Sequence, residues 1–192
     1  MGNYYTHMAR NRDPDIDERV LAAARTVMAR DGYARMSFDG VAGEAGVTRP
    51  TVYLRHPTKA QLATAALAAY RERGKPRDSG DTRADLLARL RHFRRGVERP
   101  NGMAMLGPVL AEEPHTPELL ALWRERLVKP RRDELRAILQ RAMTRGELRP
   151  DADVEAAVAV LVGSYFARYI ERGRAPRGWP EAEVDMVLAA LR

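Results

Sequence analysis

Apolar residues recur along most of this chain at spacings of three and four, the period of amphipathic helices. No stretch shows the strict alternation of a half-buried strand. The pattern predicts helices over residues 15–31, 37–45, 48–55, from 58 onward, 82–97, 103–112, 116–145, 153–171 and 180–191. We therefore expect an all-α protein of about nine helices.

Residues that begin and end helices support these boundaries. Ser37 and Thr48 are suitable N-caps, and Thr58 with Gln61 forms a Thr-x-x-Gln capping box. Gly32 and Gly46 are positioned to end helices, because glycine readily adopts the left-handed conformation of a C-cap. Pro130 lies inside the predicted helix 116–145 and should kink it.

Glycine, proline and serine are concentrated in one polar stretch, residues 73–81, which predicts a boundary between domains. We expect a flexible N-terminal tail over 1–14, a first domain over 15–72, a linker over 73–81 and a second domain over 82–192. The length of 192 residues is compatible with this division, and it is sufficient for a substantial core.

Composition excludes several kinds of chemistry. The chain has no cysteine, so a disulfide scaffold, a thiolate zinc site and a cysteine nucleophile are absent. We find no phosphate-binding glycine loop and no catalytic triad. Glu112 and His115 have the Glu-x-x-His spacing of di-iron proteins, but Pro114 interrupts the motif and no second copy exists. We expect no metal, no cofactor and no enzymatic activity.

The charge balance and the apolar stretches bear on location and partners. There are 33 Lys+Arg and 26 Asp+Glu, a net charge of +7 that favours polyanions. Residues 1–17 lack the apolar stretch of a signal peptide, and the longest apolar run, 156–167, is too short to cross a bilayer. The expectation is a soluble, cytoplasmic protein without a membrane partner.

The most informative stretch is 37–59, where two short predicted helices flank a tight turn at Gly46 and Val47. This is the pattern of a helix-turn-helix, whose second helix enters the major groove of DNA by its N-terminal half. No acidic residue occurs between Glu44 and Glu72. The candidate DNA-binding residues are Ser37, Thr48, Arg49, Pro50, Thr51, Tyr53, Arg55, His56 and Lys59. A plain surface helix of a bundle is the alternative interpretation.

The order of residues adds a family resemblance. The Ala-Gly-Val turn at 45–47, Thr-Val-Tyr at 51–53 and Pro-Thr-Lys at 57–59 occur in register after a first helix of the right length. Over about residues 15–70 the chain closely resembles the DNA-binding domain of TetR-family transcriptional regulators. Leu-Gly-Pro at 106–108, Trp-Arg-Glu-Arg at 123–126 and Arg-Gly-Glu-Leu-Arg-Pro-Asp at 145–151 are similar to one branch of that family.

The resemblance implies specific roles. Thr48, Arg49 and Thr51 would lie along the recognition helix, Tyr53 would point to the DNA backbone, and Lys59 would hold a phosphate. Two positions depart from the family pattern: His56 occupies the place of a large aromatic residue, and Pro50 replaces the usual glycine. His56 either packs as a neutral side chain or reaches a phosphate.

The family resemblance also implies a homodimeric, all-α repressor whose C-terminal domain binds a small molecule. Dimerisation is expected through the last two helices, 153–171 and 180–191, because the first of them is apolar on nearly every side. Candidate pocket residues, for which ordinary core is the alternative, are Phe93, Met103, Leu106, Leu110, Trp123, Tyr165, Phe166 and Tyr169.

The sequence thus predicts a regulator that binds double-stranded operator DNA with a palindromic sequence and is released by an unknown small-molecule effector. Two alternatives remain open. One is a constitutive DNA binder without a ligand, and the other is a small-molecule-binding helical protein with weak DNA binding.

Overall fold

The computed structural model describes residues 14–72, 77–99, 102–103 and 106–192, and all regular structure in these ranges is helical. The helices are α1 (Pro14–Arg35), α2 (Phe38–Ala45), α3 (Arg49–Arg55), α4 (Lys59–Glu72), α5 (Thr82–Val97), α6 (Leu106–Ala111), α7 (Pro117–Trp123), α8 (Lys129–Thr144), α9 (Val154–Arg172) and α10 (Trp179–Leu191). A π-helical segment, Arg124–Val128, joins α7 to α8. The predicted all-α fold is confirmed.

Two compact units make up the chain, Met1–Ala66 and Leu67–Arg192, and the division between them falls inside α4. The predicted tail lies outside the described residues except for Pro14, as do residues 73–76 of the predicted linker. No helix within the described ranges is both long and apolar enough to span a membrane.

The N-terminal unit has a core made mainly of small side chains, together with larger ones such as Leu62 and Tyr33. Val20 and Ala24 of α1, Val41 of α2, Val52 of α3 and Ala66 of α4 are fully buried. Small residues allow helix backbones to approach closely, so this core fixes four helices within a short span of chain. As the sequence predicts, Gly32 interrupts α1 with a φ of 79°, although helical turns continue to Arg35.

The C-terminal unit has a core of larger side chains. Leu86 and Leu90 of α5, Leu139 of α8 and Leu161 of α9 are buried together. An aromatic group is packed among them, with the ring centroid of Tyr165 5.3 Å from that of Phe93 and 5.1 Å from that of Trp179. The indole Nε1 of Trp179 donates a hydrogen bond to Ser164 Oγ at 2.9 Å, so its polar atom is satisfied.

The long predicted helix 116–145 contains the distortion expected from proline. Pro130 has no N–H to donate, and its ring would collide with the carbonyl of Arg126 in a regular helix. The backbone accommodates it with the π-helical segment that ends at Val128, where the Lys129 N–H bonds to Arg124 O. Pro130 then lies in the first turn of α8, where a missing N–H has little effect.

The turn before α5 is held by a buried carboxylate. Asp85 Oδ1 accepts hydrogen bonds from the Ser79 N–H and hydroxyl at 2.9 and 2.7 Å, and Oδ2 accepts one from the Gly80 N–H at 3.1 Å. Burial by itself would raise the pKa of Asp85, but the bonds from Ser79 and Gly80 bring it below its ordinary value. The last part of the predicted linker is therefore tied to the second unit.

Candidate nucleic-acid interface

Helix α2 is fixed at both ends by hydrogen bonds. Ser37 Oγ accepts the Gly40 N–H at 3.1 Å and caps α2, as the sequence predicts, while the Ser37 side chain remains exposed. Gly46 ends α2 with a φ of 62°. Arg19 of α1 donates to Ala45 O at 2.5 Å and to Gly46 O at 3.1 Å, so α1 holds the turn in place. Sequence reasoning missed this role of Arg19.

Helix α3 has one buried face and one exposed face. Val52 is completely buried, whereas Thr48, Arg49, Pro50 and Tyr53 are exposed. Thr48 makes no side-chain cap; its hydroxyl lies 2.9 Å from the hydroxyl of Thr51 instead. The polar residues at the N-terminal end of α3 are thus presented together to solvent, the arrangement that a recognition helix needs.

Two acidic residues from elsewhere in the chain reach this surface. Asp39 of α2 forms an ion pair with Arg49 at 3.2 Å. The Arg49 side chain is 64% exposed and the Asp39 side chain is 69% exposed. Asp17 of α1 pairs with the Arg55 Nε, while Arg55 Nη1 donates to Thr51 O at 3.2 Å. The absence of acids between 44 and 72 in the sequence therefore does not make the folded surface free of acids.

Arg55 and Arg49 differ in accessibility. The Arg55 side chain is only 14% exposed and is held by Asp17, which joins the last turn of α3 to α1. A phosphate contact by Arg55 stays a prediction, and the structure adds a positioning role within the domain. The exposed pair between Arg49 and Asp39 contributes little stability, because water screens it, so DNA can displace Asp39 at small cost.

Lys59 lies in the first turn of α4, immediately after Thr58. Thr58 caps this helix, because its Oγ1 accepts a hydrogen bond from the Gln61 N–H at 3.1 Å. Its ammonium donates to Ala34 O at 2.8 Å and lies 4.5 Å from the centroid of the Tyr33 ring. The amides at the start of α4 favour a bound anion beside this ammonium. A phosphate contact at this place stays a prediction.

His56 and Tyr53 flank the end of α3. The half-buried His56 donates its backbone N–H to Val52 O at 3.0 Å and forms the C-cap of the helix. The ring of Tyr53 packs edge-on against Phe38 with centroids 5.9 Å apart, although 55% of the Tyr53 residue is exposed. Tyr53 is thus oriented by α2 while its outer face remains accessible.

Comparison with known proteins identifies the helix-turn-helix. A sequence profile described as "Bacterial regulatory proteins, tetR family" matches residues 20–66, and one described as "Tetracyclin repressor-like, C-terminal domain" matches residues 76–188. The chain belongs to the TetR family. It is therefore a helix-turn-helix transcriptional regulator that binds DNA, in a family of regulators rather than enzymes.

Full-length relatives agree with this TetR-family assignment. The chain is 35% identical over 136 residues to the DNA-binding transcriptional repressor TetR of Mycobacteroides abscessus, covering 70% of this chain and 71% of that protein. It is 30% identical to the uncharacterized HTH-type transcriptional regulator Rv1556 of Mycobacterium tuberculosis, and the match covers 90% of this chain and 85% of that protein. The crystal structure of the TetR-family regulator SCO0332 matches 93% of this chain and 99% of that one, with a TM-score of 0.72 at 28% identity.

The predicted pocket residues of this TetR-family regulator fall into two groups. The rings of Phe93, Tyr165 and Phe166 contact one another, Tyr169 stacks on Tyr165, and Met103 is packed against the same core. The remaining three lie on α6 and α7: Leu106 and Trp123 are half-buried, and Leu110 is 52% exposed. The aromatic group fills the core, and a pocket around these residues stays a prediction.

Proposed function

We propose that this protein is a repressor that binds a palindromic operator as a homodimer and is released from it by a small molecule. The supporting observation is the orientation of α3, whose buried Val52 directs Thr48, Arg49 and Tyr53 into solvent. Exposed hydroxyl and guanidinium groups at the N-terminal end of such a helix can reach base edges in the major groove.

The contacts divide into those that read sequence and those that fix position. Thr48, Arg49 and Thr51 contact base edges, since they lie in the first turn or two of α3. Tyr53 and Lys59 contact phosphates on either side of the groove, and Ser37, Pro50 and His56 border this surface. Phosphate contacts supply affinity for any sequence, whereas base contacts supply discrimination.

Exposed apolar residues on the last two helices support the proposed dimer. Ile170 of α9 is 84% exposed, Val160 of α9 is 41% exposed and Met186 of α10 is 53% exposed. Burial of these side chains against a second copy would remove apolar surface from water. A dimer related by a twofold axis presents two copies of α3, which is the reason to expect a palindromic operator.

One observation favours a second candidate, a constitutive DNA binder without an effector. The cleft lined by Arg71, Arg89, His92 and Arg131 in the C-terminal unit has a volume of about 10 Å³, enough for roughly one water molecule. A ligand that bound in this cleft would therefore have to open it, whereas a constitutive binder needs no such opening.

A gel-shift titration with the DNA flanking the protein's own gene tests the regulator. We expect retention that survives an excess of unrelated DNA at near-physiological salt, with a footprint over two half-sites about one helical turn apart. The R49A/T51A double variant should lose this specific retention. R177A, an exposed residue of the C-terminal unit, is the matched control and should retain it.

Analytical ultracentrifugation tests the dimer separately. The protein at micromolar concentration should sediment as a dimer, and I170D should shift it toward the monomer because a buried, unpaired carboxylate is costly. A monomeric protein that still gave the full two-site footprint would contradict the proposed assembly.

A further inference from the structure

Three arginine side chains converge in the C-terminal unit around a single carboxylate. Arg71 Nη1 from the last turn of α4 lies 2.9 Å from Glu134 Oε1, and Arg89 Nη1 from α5 lies 3.5 Å from Glu134 Oε2. The exposed fractions of the three side chains are 15% for Arg71, 10% for Arg89 and 19% for Glu134. Arg131 of α8 completes the cluster.

Arg131 lacks a carboxylate of its own. Its guanidinium lies over the ring of Phe93, with the guanidinium carbon 4.5 Å from the ring centroid. Burial, and then the nearby charge of Arg71, lower the pKa of Arg131 to about 10, so the side chain is still charged at neutral pH. Within the described part of the chain, Arg131 has this aromatic contact but no hydrogen-bond acceptor.

Arg89 provides a second, independent indication that positive charge exceeds negative charge in this cluster. Its side chain is nine-tenths buried, and nothing in the described ranges accepts a hydrogen bond from Nε or Nη1. Buried guanidinium groups without acceptors are costly, and buried cations are normally paired with anions. The described residues of the cluster place three positive charges around one negative charge.

The walls of the cleft indicate the kind of anion that it would accept. Three apolar side chains, Leu90, Phe93 and Leu135, line the cleft together with the arginines, Glu134 and His92. His92 Nε2 lies 2.7 Å from Arg71 O, and burial lowers the pKa of His92. The cleft therefore combines cationic groups with apolar surface.

We propose that this cleft binds a small organic acid, whose carboxylate accepts hydrogen bonds from Arg89 and Arg131 while its apolar part contacts Leu90, Phe93 and Leu135. That this acid acts as the effector rests on the proposed function. That it binds in the cleft does not depend on the proposed function. The cleft must open for the acid to enter. The long 3.5 Å separation between Arg89 and Glu134 is the contact that the acid would replace.

Thermal unfolding of the full-length protein with defined probes tests the site. Hexanoate should raise Tm by about 3–6 °C at ten times its Kd, whereas hexanamide, which has the same chain without the charge, should leave Tm unchanged. Inorganic phosphate provides a third arm, since it carries negative charge without an apolar part. A shift with phosphate as large as that with hexanoate would overturn the assignment to organic acids.

Variants of α5 and α8 separate the site from general charge effects. R89Q and R131Q should abolish the shift caused by hexanoate. R91Q is the control, because Arg91 lies on the same helix but is exposed and pairs with Glu181. R89Q should also fold without loss of Tm, since it removes one of the excess buried charges. An equal hexanoate shift in R89Q, R131Q and R91Q would overturn the proposal.

The gel shift distinguishes failure of the site from failure of the proposed function. Specific operator binding without any carboxylate-dependent rise in Tm would overturn the organic-acid site and leave the DNA-binding repressor intact. A rise in Tm that depends on Arg89, without any specific retention of DNA, would support the site and contradict the proposed repressor.

Discussion

The two compact units fill their interiors with different residues. The N-terminal unit buries mostly alanine and valine, such as Ala24, Val41 and Val52, and exposes the polar residues at the start of α3. The C-terminal unit buries leucine and aromatic side chains, including Leu161 and Trp179, and also encloses a cluster of arginines. The first interior holds α3 in position, whereas the second contains the polar groups of the proposed anion site.

The two units also differ in how their arginine side chains are paired. In the N-terminal unit, Arg49 is exposed next to Asp39, and Arg55 is paired one-to-one with Asp17. In the C-terminal unit, Arg71 and Arg89 share Glu134, while Arg131 lies against an aromatic ring. Arg49 is exposed and available to DNA, and Arg55 has a carboxylate of its own, whereas buried arginine in excess over carboxylate favours binding of an anion from outside.

The largest expected effect is a loss of stability caused by a substitution in the C-terminal core. W179A should lower the free energy of unfolding by about 3–5 kcal/mol, because it leaves a cavity among Phe93, Tyr165 and Leu161. Urea denaturation measures this loss. W123A is the matched control at a half-buried tryptophan and should cost distinctly less. Equal losses for the two variants would mean that the aromatic group around Trp179 does not dominate this core.

A pair of variants in α3 tests how the N-terminal unit holds its recognition helix. V52A should cost roughly 1–3 kcal/mol of unfolding free energy, because Val52 is fully buried. L54A, two residues along the same helix at 73% exposure, should change it by less than about 0.5 kcal/mol. Denaturant unfolding of both variants measures the difference. A larger loss for L54A would reverse the assignment of the buried face.

Base-reading variants should change specificity rather than stability. R49A and T51A should each alter the preference for a base in the operator by about 1–3 kcal/mol, because each removes a proposed base-edge contact. Competition binding against a panel of single-base operator variants measures the preference. An unchanged pattern of preferences, together with unchanged folding, would show that these two residues do not read the sequence.

The smallest expected changes in DNA affinity should distinguish residues that contact phosphates from residues that position α3. K59A should weaken binding to every sequence and reduce the slope of log affinity against log salt by roughly one. R55Q and D17N break the same intramolecular pair, and equal weakening of operator binding by both would indicate a positioning role for Arg55. A reduced salt slope in R55Q but not in D17N would instead assign a phosphate contact to Arg55.

Much of the local structure could be predicted from the sequence. Ser37, Gly46 and Thr58 mark helix boundaries through interactions with residues a few positions away, and the structure confirms each of them. The distortion near Pro130 was also predictable, because it follows from a missing N–H and a local clash, although its π-helical form was not. Thr48 was the exception, since its hydroxyl faces Thr51 instead of capping α3.

The contacts that shape the candidate sites could not be predicted in this way. Arg19 reaches the turn at Gly46, and Asp17 reaches Arg55, across gaps of 27 and 38 residues. The arginines at 71, 89 and 131 come together only because α5 packs against α8 and the last turn of α4 lies beside them in the C-terminal unit. Nothing in their spacing along the chain indicates a common cluster.

The sequence by itself determined the helices, their ends and the helix-turn-helix, because hydrophobic period, capping and turn chemistry act over a few residues. Tertiary structure alone decided which charges meet. Asp17 and Asp39 pair with Arg55 and Arg49, although residues 45–71 contain no acid, and Glu134 pairs with both Arg71 and Arg89 beside Arg131. Electrostatic interactions depend on distance in space, and packing brings together charges from residues far apart in the chain.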